Sequence, residues 1–147
     1  MTDSTTSPER LAVVQLGRES FGVPLSDILY FVPAGQLVPS AGEVVWVRGG
    51  IQNPGNSSLA PVLDLAELWR DGRLACDWTH LILTRAGLAF GVGGYRTTGV
   101  LTIHSLRPSP GNPALVRAVI ISDRPVAVID SFQLVSIDMW RQLAPPA

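Results

Sequence analysis

The sequence predicts an all-β fold with short helices, arranged as two small barrels of some five strands each. Two observations carry this. Short apolar segments with alternating pattern recur at regular spacing between Gly- and Pro-rich turns. The chain also repeats itself at a displacement of 69 residues: Phe21-Gly22-Val23 falls on Phe90-Gly91-Val92, Leu37 on Leu106, Pro39-Ser40 on Pro108-Ser109, Gly42 on Gly111, Val47-Arg48 on Val116-Arg117 and Ile51 on Ile120. These are ten identities over residues 11–51 without a gap, where roughly three would arise from residue frequencies alone. With a few deletions, Pro61-Val62 and Asp64 then meet Pro125-Val126 and Asp130.

The elements follow in order. Leu11 to Leu16 and Phe21 to Leu25 alternate as two strands about the turn Gly17-Arg18-Glu19-Ser20, which makes a hairpin. Ser26 can cap a helical turn holding Asp27, Ile28, Leu29 and Phe31, ended by Pro33 and Gly35. Leu37 to Pro39 is extended. Val44 to Val47 leads into a second hairpin whose loop, Asn53-Pro54-Gly55-Asn56, is turn chemistry: Pro sets φ, Gly accepts positive φ, and Asn bonds its own backbone. Leu59 to Leu63 returns as a strand. Asp64 stands three residues before Glu67, the spacing of a helix N-cap, so a helix runs from about Leu65 to Arg70 and stops at Gly72.

In the second half, His80 to Thr84 and Leu88 to Val92 are strands about Arg85-Ala86-Gly87, and Gly93-Gly94-Tyr95 breaks the pattern. Val100 to Ile103, Leu115 to Ile121 and Pro125 to Ile129 are extended. Asp130 precedes Gln133 as a second cap, with a short helix to about Trp140. Residues 1–9 and 142–147 read as frayed tails around one domain, residues 10–141, with the repeat at about 11–70 and 80–137.

Composition narrows the function. The 147 residues are 46% hydrophobic and 16% charged, enough for a packed core. The net charge of −1 argues against nucleic-acid binding, which shows a clustered basic excess. The single cysteine, Cys76, permits no internal disulfide, and a reducing, cytoplasmic setting fits. No signal-like or membrane-spanning apolar run is present, so direct membrane insertion is not expected.

Candidates for chemistry are few. Cys76 with His80 is the best nucleophile–base pair, but a His that starts a strand points away from a loop cysteine four residues back. No Cys or His pair has zinc spacing, and no cofactor is expected. Gly91-Val92-Gly93-Gly94 is followed by neither Lys nor helix, so a bulge or a close backbone approach explains it better than a phosphate loop. Asp64 and Asp130 read as helix caps rather than a catalytic pair. Arg48 and Arg117 recur at equivalent repeat positions, either covering a barrel mouth or meeting a partner.

The stretch Gly49-Gly50-Ile51-Gln52-Asn53-Pro54-Gly55, followed by Pro61-Val62-Leu63-Asp64-Leu65 and Ala66-Glu67-Leu68, resembles the CheW family of bacterial chemosensory coupling proteins. Family members carry Gly-x-Ile-Asn-x-Arg-Gly, then Pro-Val-x-Asp-Leu and a short helix. Leu11–Leu16, Phe21-Gly22-Val23-Pro24-Leu25, Leu81–Leu83, Phe90-Gly91-Val92 and Val126–Asp130 resemble its other strands, so the likeness spans about residues 10–137. It implies two SH3-like five-stranded β-barrels and a non-catalytic adaptor. Such an adaptor links the cytoplasmic tips of methyl-accepting chemoreceptors to a CheA-type histidine kinase, and also meets other CheW-like domains, in arrays at the inner membrane. By the same resemblance, Ile28, Phe31, Arg48, Asn53, Pro54, Gly55 and Val62 are the candidate partner-binding residues. The chain departs from the pattern in having Pro54 where the family has Arg, a longer loop before Pro61, and Gly93-Gly94-Tyr95 where the family has Asp-x-Val. These departures suggest an alternative chemosensory pathway, such as one serving type IV pilus (twitching) motility. A second reading is a small β-barrel ligand-binding protein or thiol enzyme using Cys76 and His80.

Overall fold

The computed structural model describes residues 10–39, 44–53, 58–97, 103–105, 115–121 and 124–135. In chain order the strands are β1 (Leu11–Leu16), β2 (Glu19–Pro24), β3 (Ile28–Pro33), β4 (Val38–Pro39), β5 (Val47–Gln52), β6 (Leu59–Leu63), β7 (His80–Thr84), β8 (Ala89–Val92), β9 (Gly94–Thr97), β10 (Ile103–Ser105), β11 (Leu115–Ile121) and β12 (Arg124–Ile129). One short helix, α1 (Leu65–Leu68), follows β6, and single 3-10 turns stand at Leu25–Asp27, Ala34–Gln36, Gly72–Leu74 and Ser131–Gln133.

The expected pair of SH3-like five-stranded barrels is not what forms. The strands make two mixed six-stranded sheets, ordered β10-β11-β12-β2-β1-β9 and β3-β7-β8-β6-β5-β4, and neither closes into a barrel. In the second sheet the physical reason is visible at its edges. β4 is only Val38–Pro39, β3 ends on Pro33, and prolines supply no N–H to a closing ladder. The segment between them is spent on the tight turn Ala34–Gln36.

The sheets are not built from consecutive halves. β3 follows β2 in the chain but pairs with β7, and β9 follows β8 but pairs with β1. Read from the other end, the second sheet runs β4-β5-β6-β8-β7-β3, which matches the first sheet strand for strand. Each has one internal parallel pair, β12 with β2 and β6 with β8, among antiparallel neighbours.

Among the described residues, period-two alternation then sorts side chains into three cores. Along β1, Ala12, Val14 and Leu16 face the cluster shared by the two sheets, while Leu11 and Val13 join Val126 and Val128 on the other face. Along β7, Ile82 enters the shared cluster, while Leu81 and Leu83 pack with Ile51, Ala60, Val62 and Ala89. Strands covered on both faces need a nearly continuous apolar run, and that is why these segments read LAVVQL and HLILT. Phe90, in the shared core, is the largest of the fully buried side chains among the described residues; burial of a side chain of this size contributes about 1.5–3 kcal/mol.

Two segments differ from the sequence expectation. Ile28, Leu29 and Phe31 lie on β3 rather than on a helical turn; the 3-10 turn is confined to Leu25–Asp27. The β-branched and aromatic run ILYFVP favours a strand once β7 offers it a ladder. Val44 to Trp46 form a turn that hands over to β5 at Val47, closed by the Val47 amide donating to the Val44 carbonyl at 3.1 Å. The expected helix towards Trp140 lies outside the described residues.

Candidate functional site

Two regions gather polar and aromatic side chains among the described residues, one on the second sheet and one where the two sheets meet. The first is built by β5, β6 and the segment before β7. Asp64 follows β6 in extended conformation and caps α1: its Oδ1 accepts from the amides of Ala66 at 3.1 Å and Glu67 at 3.3 Å. Its Oδ2 accepts from Nε of Arg48 at 2.9 Å and forms an ion pair with Nη2 at the same distance. Thus one nearly buried carboxylate both starts the helix and holds an arginine whose side chain is 57% exposed. The Arg48 guanidinium carbon also lies 6.0 Å from the centre of the Trp78 ring, within cation–π range.

Trp78 is positioned by an absence. A Cβ at Gly91 on β8 would fall inside the indole, so only glycine lets the ring rest on the sheet. The expected close backbone approach in Gly91-Val92-Gly93-Gly94 is therefore present, with the indole as its cause. Gly49 works similarly on β5: its φ of 153° and its approach to the Val38 carbonyl bar a side chain, which lets the edge strand β4 come close. Between β4 and the 75–78 segment these residues enclose a cavity of about 430 Å³, with Leu37, Pro39, Arg48, Asp64, Asp77 and Trp78 in its wall.

The second region is an aromatic cluster where the two sheets meet. Phe31 on β3 stacks on Tyr95 of β9, with ring centres 4.1 Å apart and planes 16° apart. His80, at the start of β7, meets the same Tyr95 edge-on at 4.9 Å. Offset and edge-on aromatic pairs contribute about 0.5–1.5 kcal/mol beyond their burial. Beside them on the open edge of β3, Leu29 and Tyr30 are exposed.

The sequence-predicted residues distribute unevenly over these regions. Phe31 is half-buried in the aromatic cluster, and Arg48 is exposed beside the cavity. Asn53 closes the β5–β6 hairpin, its amide donating to the Ser58 carbonyl at 3.1 Å. Ile28 is 8% exposed and Val62 fully buried, so both side chains serve cores and not a surface. Pro54 and Gly55 lie outside the described residues. Cys76 lines the cavity and sits under Gly93, whereas His80 shares a hydrogen bond of 3.0 Å with the Thr79 hydroxyl; no hydrogen bond joins Cys76 to His80. Among the described residues, no group of three or more His, Cys, Asp or Glu side chains is placed to hold a metal ion. No helix among them is long and apolar enough to cross a membrane.

Sequence reasoning missed Tyr30, Tyr95 and Trp78 as site residues. Only Trp78 left a trace, in the glycine opposite it.

No protein-family model matches the chain, and no curated protein matches it by sequence. The structure is similar to the crystal structure of the scaffolding protein TtCheW from Thermoanaerobacter tengcongensis, with a TM-score of 0.73 and 18% sequence identity, covering 94% of each chain. The chain thus has a CheW-like fold, reached by a sequence that has diverged far from that relative.

Proposed function

We propose that this protein is a non-catalytic adaptor of a bacterial chemosensory system, joining a CheA-type histidine kinase to the cytoplasmic tip of a chemoreceptor. The observation that carries the proposal is the likeness to a scaffolding protein over 94% of both chains, in a structure whose described residues present an uncovered sheet edge in place of a catalytic constellation. That edge is β3. Among the described residues no strand lies beyond it, and Leu29, Tyr30 and the rim of Phe31 stand on it, a combination suited to a partner strand or helix. Arg48 and the Asn53 hairpin offer the polar contacts nearby. In this reading the adaptor works in the cytoplasm, recruited to receptor arrays at the inner membrane, in chemotaxis or in type IV pilus motility. The net charge of −1 fits protein partners better than nucleic acid.

The test is a gel-filtration or pull-down experiment with the CheA-type kinase and the receptor tip from the same organism. Co-elution is expected, weakened by Tyr30→Asp or Phe31→Ser. Array contacts are individually weak and gain from multivalency, so mixing belongs at concentrations on the order of tens of micromolar. Absence of a complex there, with the protein shown to be folded, overturns the adaptor reading.

A further inference from the structure

We propose that the cavity beside Trp78 binds a free amino acid with an apolar side chain, with its carboxylate on Arg48 and its ammonium on Asp77. The inference does not depend on the adaptor reading; it concerns what this chain binds on its own.

Arg48 is the starting point. A guanidinium presents two edges that can each hold a carboxylate through a pair of parallel N–H donors. Asp64 occupies the edge made by Nε and Nη2: Nε donates to Oδ2 at 2.9 Å, and Nη2 lies 2.9 Å from the same oxygen. The edge made by Nη1 and the second Nη2 hydrogen has no acceptor among the described residues, and the side chain is 57% exposed. Asp64 therefore does not use up the arginine. It fixes the plane of the guanidinium and leaves the other fork ready, so that little conformational freedom is lost on binding.

Asp77 supplies the opposite charge. It is exposed, lines the same cavity, and its carboxylate has no hydrogen-bond or ion-pair partner among the described residues. With Arg48 balanced by Asp64, the wall carries one uncompensated negative charge and one unused cationic fork. A simple anion would meet Asp77, and a simple cation would leave the fork empty. A zwitterion matches both. The same wall includes Leu37, Pro39 and Trp78, which are suited to an apolar side chain and not to a second polar group. The volume, about 430 Å³, lies within the range of small-molecule sites.

The intact protein is titrated with L-phenylalanine, with 3-phenylpropionate, which lacks the ammonium, and with phenethylamine, which lacks the carboxylate. Binding is read from the assigned Trp78 indole N–H and from calorimetry. L-phenylalanine is expected to saturate the site, with both analogues about tenfold or more weaker, the order of one charge-assisted contact. Asp77→Asn should weaken L-phenylalanine by a similar factor and leave 3-phenylpropionate unchanged. Arg48→Lys keeps the charge but loses the fork, and should weaken both carboxylates. Both substitutions are at exposed positions, and a thermal melt verifies the fold. The proposal is overturned by no saturable shift up to about 10 mM, well past the range expected for a small ligand. It is equally overturned by equal binding of the three probes, or by indifference to Asp77→Asn. No kinase or receptor enters the experiment, so its failure leaves the adaptor reading standing, and a missing kinase complex leaves this one standing.

Discussion

The indole of Trp78 occupies the space in which a side chain at position 91 would stand, so the two residues fit together only because Gly91 has none. Rigid backbone on one side and a large ring on the other leave no easy relaxation. Gly91→Ala is expected to destabilise the fold by about 3 kcal/mol, the upper range for overpacking. Trp78→Ala in the same chain should cancel part of that loss, because it removes the obstacle. A double-mutant cycle from urea melts measures the coupling, and strict additivity would show that the two residues do not meet as described.

Asp64 has two roles of unequal weight. The cap on α1 is local and nearly buried, while the pair with Arg48 involves a largely exposed arginine and is screened by water. Asp64→Ala should therefore cost about 1–2 kcal/mol, mostly from the cap, and Arg48→Ala about 0–1 kcal/mol. Asp64→Asn keeps the cap and loses only the charge, so its stability should fall near that of Arg48→Ala. Chemical denaturation of the three variants separates the effects.

Helix α1 ends in a Schellman arrangement: the Asp71 amide donates to the Ala66 carbonyl at 2.9 Å and the Arg70 amide to the Glu67 carbonyl at 3.3 Å. The motif needs a left-handed residue, and here it is Arg70, at φ 52°, not the Gly72 that the sequence pointed to as the stop. An L-residue in that conformation costs about 1–2 kcal/mol, and glycine returns some of this as chain entropy in the unfolded state. Arg70→Gly is expected to raise stability by about 0.5–1 kcal/mol. A lower melting temperature would refute the assignment.

Asp71 gives a pH-dependent expectation. Hydrogen bonds from the Arg73 side chain and then its backbone amide, together with the nearby charge, hold the carboxyl below its ordinary value of 3.8. A group whose folded value is depressed adds stability that is fully present above the unfolded value and is lost as pH falls through the folded one. Its contribution should thus be constant at neutral pH and disappear only below 3.8. Asp71→Asn should flatten the acid limb of the stability profile slightly, and Asp71 should titrate below its ordinary value of 3.8 in a carbon-detected NMR series.

Much of the local structure was legible in the sequence. β1, β2, β6, β7 and β8 could be read because their alternation and turns are short-range signals, and the caps at Asp64 and Asp130 because side chain and amide are two or three residues apart. β3 was misread as helical because Ile28, Leu29 and Phe31 fit one face of a turn as well as a strand, and only the distant ladder of β7 decides between them. Sheet membership was not legible, since the parallel pairs β2–β12 and β6–β8 leave no local mark. At the site, Arg48 stood out as a charge ending an apolar strand, but nothing near it in the sequence announced Asp64, sixteen residues away, as its partner. The aromatic cluster at Tyr95 was hidden for the same reason: its members come from β3, β7 and β9.

The interleaved strand order also sets a timetable for biosynthesis. Phe21 of β2 takes Ala127 of β12 as its parallel neighbour, so the β1–β2 hairpin waits through about a hundred further residues of synthesis for that strand. At about 5–20 residues per second that wait is on the order of 5–20 s. Until then the β2 edge stays open, and Leu11 and Val13 lack the cover of Val126 and Val128. The long closure makes folding slow for a chain of this size, and the nascent hairpin is where a holding chaperone, or an unwanted neighbour, would first find it.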